Sequence, residues 1–256
     1  MTNSPALSVC LDTLFTNDTF VNRVDRCAEL GVDGVEFWEP ADRSLPAIRD
    51  RTVANNLAFV GMVGCTTSLT NPNVQDQAIS ELRSNLETAA TVDCENLIVT
   101  SGPECESHGW QTQYDNIVDT LQTVAPDAEE AGVSLILEPL NTTVDHPGAF
   151  LSRSETGFDI IDEIESPNVR LLYDVYHQQI TEGNIIDTMR QNLNRIGHVH
   201  IADVPGRNEP GTGELNYQRI IESLVDAGYD SYVGCEFRAT GSDISAVNSA
   251  LEMLDN

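Results

Sequence analysis

The chain has 256 residues, with 41 acidic side chains against 13 basic ones and a formal net charge of −28. Every basic residue is arginine, and the absence of lysine excludes Schiff-base aldolase chemistry, a pyridoxal-phosphate linkage and a Walker-type phosphate loop. So strong a polyanion repels a nucleic-acid duplex, and no local basic patch offsets the charge, so no nucleic-acid partner is expected.

Apolar periodicity divides the chain into alternating strands and amphipathic helices. Residues 7–11 predict a first strand. A helix near 20–30 follows, with Asn17, Asp18 and Thr19 supplying cap residues and Gly31 a stop. A second strand covers 34–39 and a helix 45–56; a third strand covers 58–64 and a longer helix 74–92. The fourth strand is 96–102, followed by a helix over 113–131 that stops at Gly132. The fifth is 133–140 with a helix over 155–164, and the sixth 169–175 with a helix near 185–193. The seventh is 196–203 with a helix over 217–227 stopped by Gly228, and the eighth is 232–237 before a last helix over 244–254. Eight β-α units in 256 residues predict an α/β fold, a (β/α)8 TIM barrel. A doubly wound open sheet rarely repeats so regularly, and no G-x-G-x-x-G follows the first strand.

No linker or low-complexity tract interrupts the pattern, so residues 1–256 read as a single domain with one core. The N-terminus lacks the basic and apolar regions of a signal peptide, and no run approaches the roughly 18 apolar residues of a membrane span. The expectation is a soluble, cytoplasmic protein with no membrane partner. Six cysteines without a C-x-x-C pair fit reduced, buried thiols. The acids are spread through periodic segments rather than collected in a tail, and this lysine-free composition resembles halophilic proteins, whose surroundings hold molar salt.

In a barrel of this kind the reactive groups gather at the C-terminal ends of the strands. Strand five ends in Glu138, strand six in Asp174, strand seven in His200 through Asp203, and strand eight in Glu236. Alternation puts Glu138 on one face with Ser134 and Ile136, Glu236 with Gly234, and His200 with His198. If those faces are the interior, Glu138 and Glu236 oppose each other across the mouth, with Asp174 and His200 between them. Three carboxylate oxygens and one imidazole nitrogen suit Mn²⁺, Mg²⁺ or Co²⁺. Singly, each acid could cap a helix or pair with an arginine, and His200 could be a hydrogen-bonded core histidine. Four such groups at one end point to a cation, because buried carboxylates so close repel each other without one.

Around this set, Arg207 follows the Pro205-Gly206 break and is expected to reach back to an anionic substrate, with a surface ion pair as the alternative. His177, three residues past Asp174, is expected in a loop over the metal, with a helix-cap contact as the alternative. His198 reads as a satisfied core residue one layer deeper. Glu36 either hydrogen-bonds within the site or pairs with an arginine. Trp38 and Trp110 either wall the pocket or pack in the core.

Several segments resemble hydroxypyruvate isomerases of the xylose-isomerase-like superfamily of sugar isomerases and epimerases. They are G-V-E-F (34–37), E-P-L-N (138–141), Y-D-V-Y-H (173–177), G-H-V-H-I-A-D (197–203), E-P-G-T-G-E-L-N-Y (209–217) and G-C-E-F (234–237). The resemblance implies Glu138, Asp174, His200 and Glu236 as metal ligands, Glu138 and Glu236 as the acid/base pair, and His177 and Arg207 as substrate contacts. It further implies interconversion of hydroxypyruvate and tartronate semialdehyde (2-hydroxy-3-oxopropanoate) through an enediolate. Hydroxypyruvate isomerases often carry glutamine at the position of His200, whereas ketose 3-epimerases carry histidine. Residues 61–65, G-M-V-G-C, also lack an H-N-L-P-like sequence. A ketose 3-epimerase or related sugar isomerase is therefore the alternative, and a non-catalytic metabolite-binding barrel a further one. A barrel endonuclease with a three-zinc cluster would need more histidines than the five present. Pairing through the outer helices, common in such barrels, would give a homo-oligomer.

Overall fold

The structure, a computed structural model, describes residues 4–255. Its strands are β1 (Ala6–Cys10), β2 (Gly34–Phe37), β3 (Ala58–Cys65), β4 (Cys94–Thr100), β5 (Ser134–Glu138), β6 (Val169–Asp174), β7 (Ile196–Ile201) and β8 (Tyr232–Cys235). They follow one another in chain order around a closed barrel. The helices are α1 (Phe20–Leu30), α2 (Leu45–Asn55), α3 (Gln75–Thr91), α4 (Trp110–Ala131), α5 (Ser154–Ile164), α6 (Val175–Thr181), α7 (Ile185–Asn192), α8 (Tyr217–Ala227) and α9 (Asp243–Asp255). The expected (β/α)8 barrel is therefore the fold. Gly31, Gly132 and Gly228 end α1, α4 and α8 in the left-handed conformation, as the sequence predicts.

One helix was not expected. α6 begins at the residue after β6, where the sequence predicts the strand running on to residue 175 and then a loop before the helix near 185–193. Asp174 ends the strand and caps the helix, its Oδ1 accepting the N–H groups of Tyr176 (2.7 Å) and His177 (3.3 Å). A seven-residue helix abutting an apolar strand offers too short a window for helical periodicity to show.

The described residues gather into two compact units. The first runs through Met62 and takes in Asn184–Leu193 and the segment from His198 onward. In it Ser8 pairs in register with both Gly34 and Gly234, and His200 pairs with Gly234. Val9, Val35, Val199 and Val233 alternate with these polar and glycine positions and are wholly buried. Phe37 stacks on Phe59 and meets Phe20 edge to face, with centroids 5.1 and 5.3 Å away.

The second unit is Val63–Gly183 with Asn194–Gly197. β4 pairs with β5 from Asn96↔Ser134 to Thr100↔Glu138, and β5 pairs with β6. Ile98, Ile136 and Leu172 form an apolar cluster with Val63, two residues below Glu138 and Asp174 on β5 and β6. Each such fully buried aliphatic side chain contributes roughly 1.5–3 kcal/mol. Five of the six cysteines are buried, and burial pushes the Cys27 and Cys65 thiols up to about 12, the inert form the sequence led us to expect. No helix among the described residues is long and apolar enough to cross a membrane.

Candidate active site

In the first unit the chemistry gathers on β2, β7 and β8. His198 and His200 share a face of β7, and the Nε2 atoms of both lie 2.9 and 3.0 Å from the same oxygen of Glu36. Ser8 Oγ donates to the other oxygen at 2.9 Å. An ionised carboxylate in so buried a place is costly unless fully hydrogen-bonded, and here three donors serve it. Burial alone would raise the Glu36 pKa, but the two imidazoles hold it far below the usual carboxylate range. Glu36 thus belongs to the site's hydrogen-bond network and takes no arginine partner among the contacts described. His198 is buried as expected but only half satisfied: Nε2 meets Glu36, while Nδ1 has no hydrogen-bond partner among the described residues.

Just past β8, Glu236 lies 3.5 Å from His200 Nδ1. Its carboxylate also accepts from the indole N–H of Trp38 and from the guanidinium of Arg207. Burial opposes ionisation of Glu236, but Arg207 and then His200 prevail and hold its pKa well below the ordinary value. For His200 burial works against the charged form, yet Glu36 and Glu236 raise its pKa well above the imidazole norm. Trp38 is fixed from behind, its backbone N–H donating to Asp12 (2.8 Å), which also holds Arg43 (2.6 Å). Trp38 therefore touches a proposed catalytic group, whereas Trp110 is exposed and stacks on Tyr114 and Phe150, centroids 5.1 and 5.8 Å away.

The loop after β7 hangs on Asp203, a residue to which the sequence gave no role. Its Oδ2 accepts the N–H groups of Gly211 and Gly213 (both 2.9 Å), and its Oδ1 that of Leu215 (3.1 Å). Gly213 is required there, since a Cβ would stand 2.1 Å from the Val204 carbonyl oxygen. Arg207 donates its backbone N–H to the Asp203 carbonyl (3.1 Å) and accepts from Arg238 N–H (2.9 Å). Glu209 accepts from the backbone and hydroxyl of Thr240 at 2.9 and 2.6 Å. The P-G-T-G-E segment is thus wrapped around one carboxylate, and Glu209, the residue just before it, joins the loop after β8. The readable signal was an acid placed just before a run of backbone-exposing glycines.

In the second unit Glu138 ends β5 and Asp174 ends β6, both buried. His177, expected in a loop, is in the first turn of α6 and buried. Its Nε2 lies 3.6 Å from Asp174 Oδ2 and 3.9 Å from Glu138 Oε1. On its other side the backbone N–H of Asn141 points at Nδ1 (3.3 Å), with Asn141 Nδ2 at 2.6 Å. A backbone N–H only donates, so Nδ1 is the accepting nitrogen and Nε2 carries the proton toward the two carboxylates. Asn141 is itself held by Asp145, which accepts from its Nδ2 and from the Tyr176 hydroxyl, both at 2.8 Å. Asn141 and Asp145 were not singled out in the sequence, although the E-P-L-N segment carries the first of them.

Residues 24–256 match the description of the xylose isomerase-like TIM barrel family. A 2-oxo-tetronate isomerase of Cupriavidus necator is 30% identical over 253 residues, which is 91% of this chain and 93% of the relative. The hydroxypyruvate isomerase of Escherichia coli is 27% identical over 239 residues, covering 90% of this chain and 92% of its own. A crystal structure described as an AP endonuclease, family 2, from Brucella melitensis superposes with a TM-score of 0.89 at 27% identity, covering 97% of this chain and 98% of the other.

Proposed function

The chain belongs to the xylose isomerase-like TIM barrel family, and we propose that it is a divalent-metal-dependent isomerase interconverting hydroxypyruvate and tartronate semialdehyde. The observation that carries this reading is a pair of buried glutamates at strand ends, each beside an imidazole: Glu138 with His177 and Glu236 with His200. Such groups can hold and move a proton out of contact with bulk water. The E. coli and C. necator relatives bear the names of isomerases for small keto acids.

The expected ligands Glu138, Asp174, His200 and Glu236 would supply three carboxylate oxygens and an imidazole nitrogen, a donor set that fits Mn²⁺, Mg²⁺ or Co²⁺. When bound, such an ion stabilises the negative charge that develops on the carbonyl oxygen as the neighbouring C–H acidity is raised. The rest is done by side chains. One of Glu138 and Glu236 removes a proton from the hydroxymethyl carbon, and the other returns one to the former carbonyl carbon. The hydroxyl proton passes from one oxygen to the other, so the atoms balance with no other reactant. His177 presents its Nε2–H to a substrate oxygen. Arg207, which in this structure rests on Glu236, turns its planar fork to the substrate carboxylate and leaves Glu236 able to accept a proton.

The 30% identity to the C. necator protein favours a second reading with the same chemistry, in which the substrate is the one-carbon-longer 2-oxo-tetronate. Endonuclease action fits poorly with five histidines and a net charge of −28. The test offers hydroxypyruvate, 2-oxo-tetronate and free ketoses to the protein with added Mn²⁺ or Mg²⁺, and follows product formation by proton NMR. Turnover of hydroxypyruvate is expected, and Glu236→Gln should lower it by about 10²–10⁴-fold. Turnover of ketoses alone would replace the substrate assignment; full activity in Glu236→Gln would end the acid/base proposal.

A further inference from the structure

The proton positions around Glu36 can be assigned from hydrogen-bond chemistry. Both histidines of β7 reach the same oxygen of this carboxylate through Nε2, at 2.9 and 3.0 Å. An ionised carboxylate only accepts, so both Nε2 atoms carry hydrogen. With Nε2–H committed to Glu36, the nitrogen of His200 that can give up its proton and offer a lone pair to a metal ion is Nδ1, the atom turned toward Glu236 at 3.5 Å. The His198 ring meets the His200 ring edge to face, at 4.8 Å between centroids and 82° between planes. Turning His200 over would put a ring carbon in place of Nε2–H and so lose its bond to Glu36.

The surroundings are shaped for this arrangement. Gly234 faces His200 across the β7–β8 ladder and Ser8 across the β1–β8 ladder. A Cβ at Gly234 would stand 2.1 Å from Glu36 Oε1 and 2.7 Å from His200 Cδ2. The bare backbone gives the carboxylate its room, and Ser8 fixes the carboxylate's second oxygen.

We propose that Glu36 is a positioning residue that holds His200 in its Nε2–H form and aims Nδ1 as the metal-ligating atom, with His198 as a second donor that fixes the same carboxylate oxygen. The proposal rests on the reading of His200 as a ligand. An anionic partner behind an imidazole fixes its tautomer and raises its strength as a donor, and loss of such partners typically weakens metal binding about 10- to 100-fold.

Mn²⁺ alone serves as the probe, titrated into the full chain with the free ion followed by electron paramagnetic resonance. The wild-type protein is expected to bind one ion, and Glu36→Ala to bind it about 10- to 100-fold more weakly. Glu36→Gln keeps an accepting oxygen and should recover part of that loss, which a general packing role would not predict. Long-range ¹⁵N–¹H spectra of the Mg²⁺-loaded wild-type protein, labelled at histidine, should show His200 protonated at Nε2. If Glu36→Ala does not fold, the Gln variant and this spectrum decide the matter. Unchanged Mn²⁺ affinity in both variants, a proton on Nδ1 of the loaded protein, or a second ion held by Glu36, His198 and His200 would overturn the positioning role and leave the isomerase reading standing. Failure of the wild-type protein to bind Mn²⁺ would overturn both.

Discussion

At the scale of single residues, the site depends as much on a missing side chain as on those present. Gly234 leaves the space in which Glu36, His200 and His198 meet, and the three atoms nearest an added Cβ belong to those residues, at 2.1, 2.7 and 2.9 Å in that order. None can yield cheaply, because each is tied to another by a hydrogen bond of about 3 Å. Gly234→Ala is therefore expected to destabilise the protein by about 1–3 kcal/mol, the usual cost of overpacking, as measured by urea unfolding. A neutral substitution there would mean that the network around Glu36 is looser than its distances imply. The strand-end acids themselves were legible in the sequence, since a period of two and the barrel rule put Glu138, Asp174 and Glu236 at the same end of their strands. The partner of Glu36 was not legible. Whether residue 36 meets an arginine or two histidines far along the chain is set by strand register, and a single sequence carries no direct signal for register in a parallel sheet.

Among the elements, the junction of β6 and α6 is the most compressed, and one residue serves both sides of it. Asp174 Oδ1 caps the helix through two N–H groups, while Oδ2 faces His177 at 3.6 Å. The two duties can be separated by chemistry. Asparagine caps a helix about as well as aspartate, whereas alanine forfeits about 0.5–2 kcal/mol. Asp174→Asn should thus keep the unfolding midpoint near that of the parent while weakening Mn²⁺ binding. Asp174→Ala should lose both. Equal Mn²⁺ affinity in the parent and the Asn variant, measured by titration, would remove Asp174 from the ligand set. This junction also explains why His177 was misplaced by sequence reasoning. A strand that turns into a helix without an intervening residue leaves none of the Gly, Pro or Asn punctuation on which boundary reading relies.

For the molecule as a whole, the number of repeats was readable because helices such as α1, α4 and α8 are amphipathic and end in glycine. The charge raises a separate physical question. With 41 acids and 13 arginines, like charges crowd the exposed helix faces, and ion pairs such as Arg26–Asp18, Arg83–Asp127 and Arg195–Asp162 engage only a few of them. Exposed pairs of this kind contribute about 0–1 kcal/mol each, too little to offset repulsion summed over the surface. The repulsion is present in the folded chain and relieved when the chain expands, so screening it should favour the fold. The Debye length falls from about 10 Å in 0.1 M salt to about 3 Å in 1 M, shorter than most separations between exposed charges. The unfolding midpoint is therefore expected to climb steeply with KCl up to about 1 M and then flatten as screening is completed. NaCl and tetramethylammonium chloride should act similarly at equal ionic strength, because screening depends on charge and not on the identity of the cation. Thermal unfolding followed by circular dichroism across the three salts tests this. A midpoint that does not move with salt, or that moves with only one cation, would show that the acidic surface is stabilised by something other than screening.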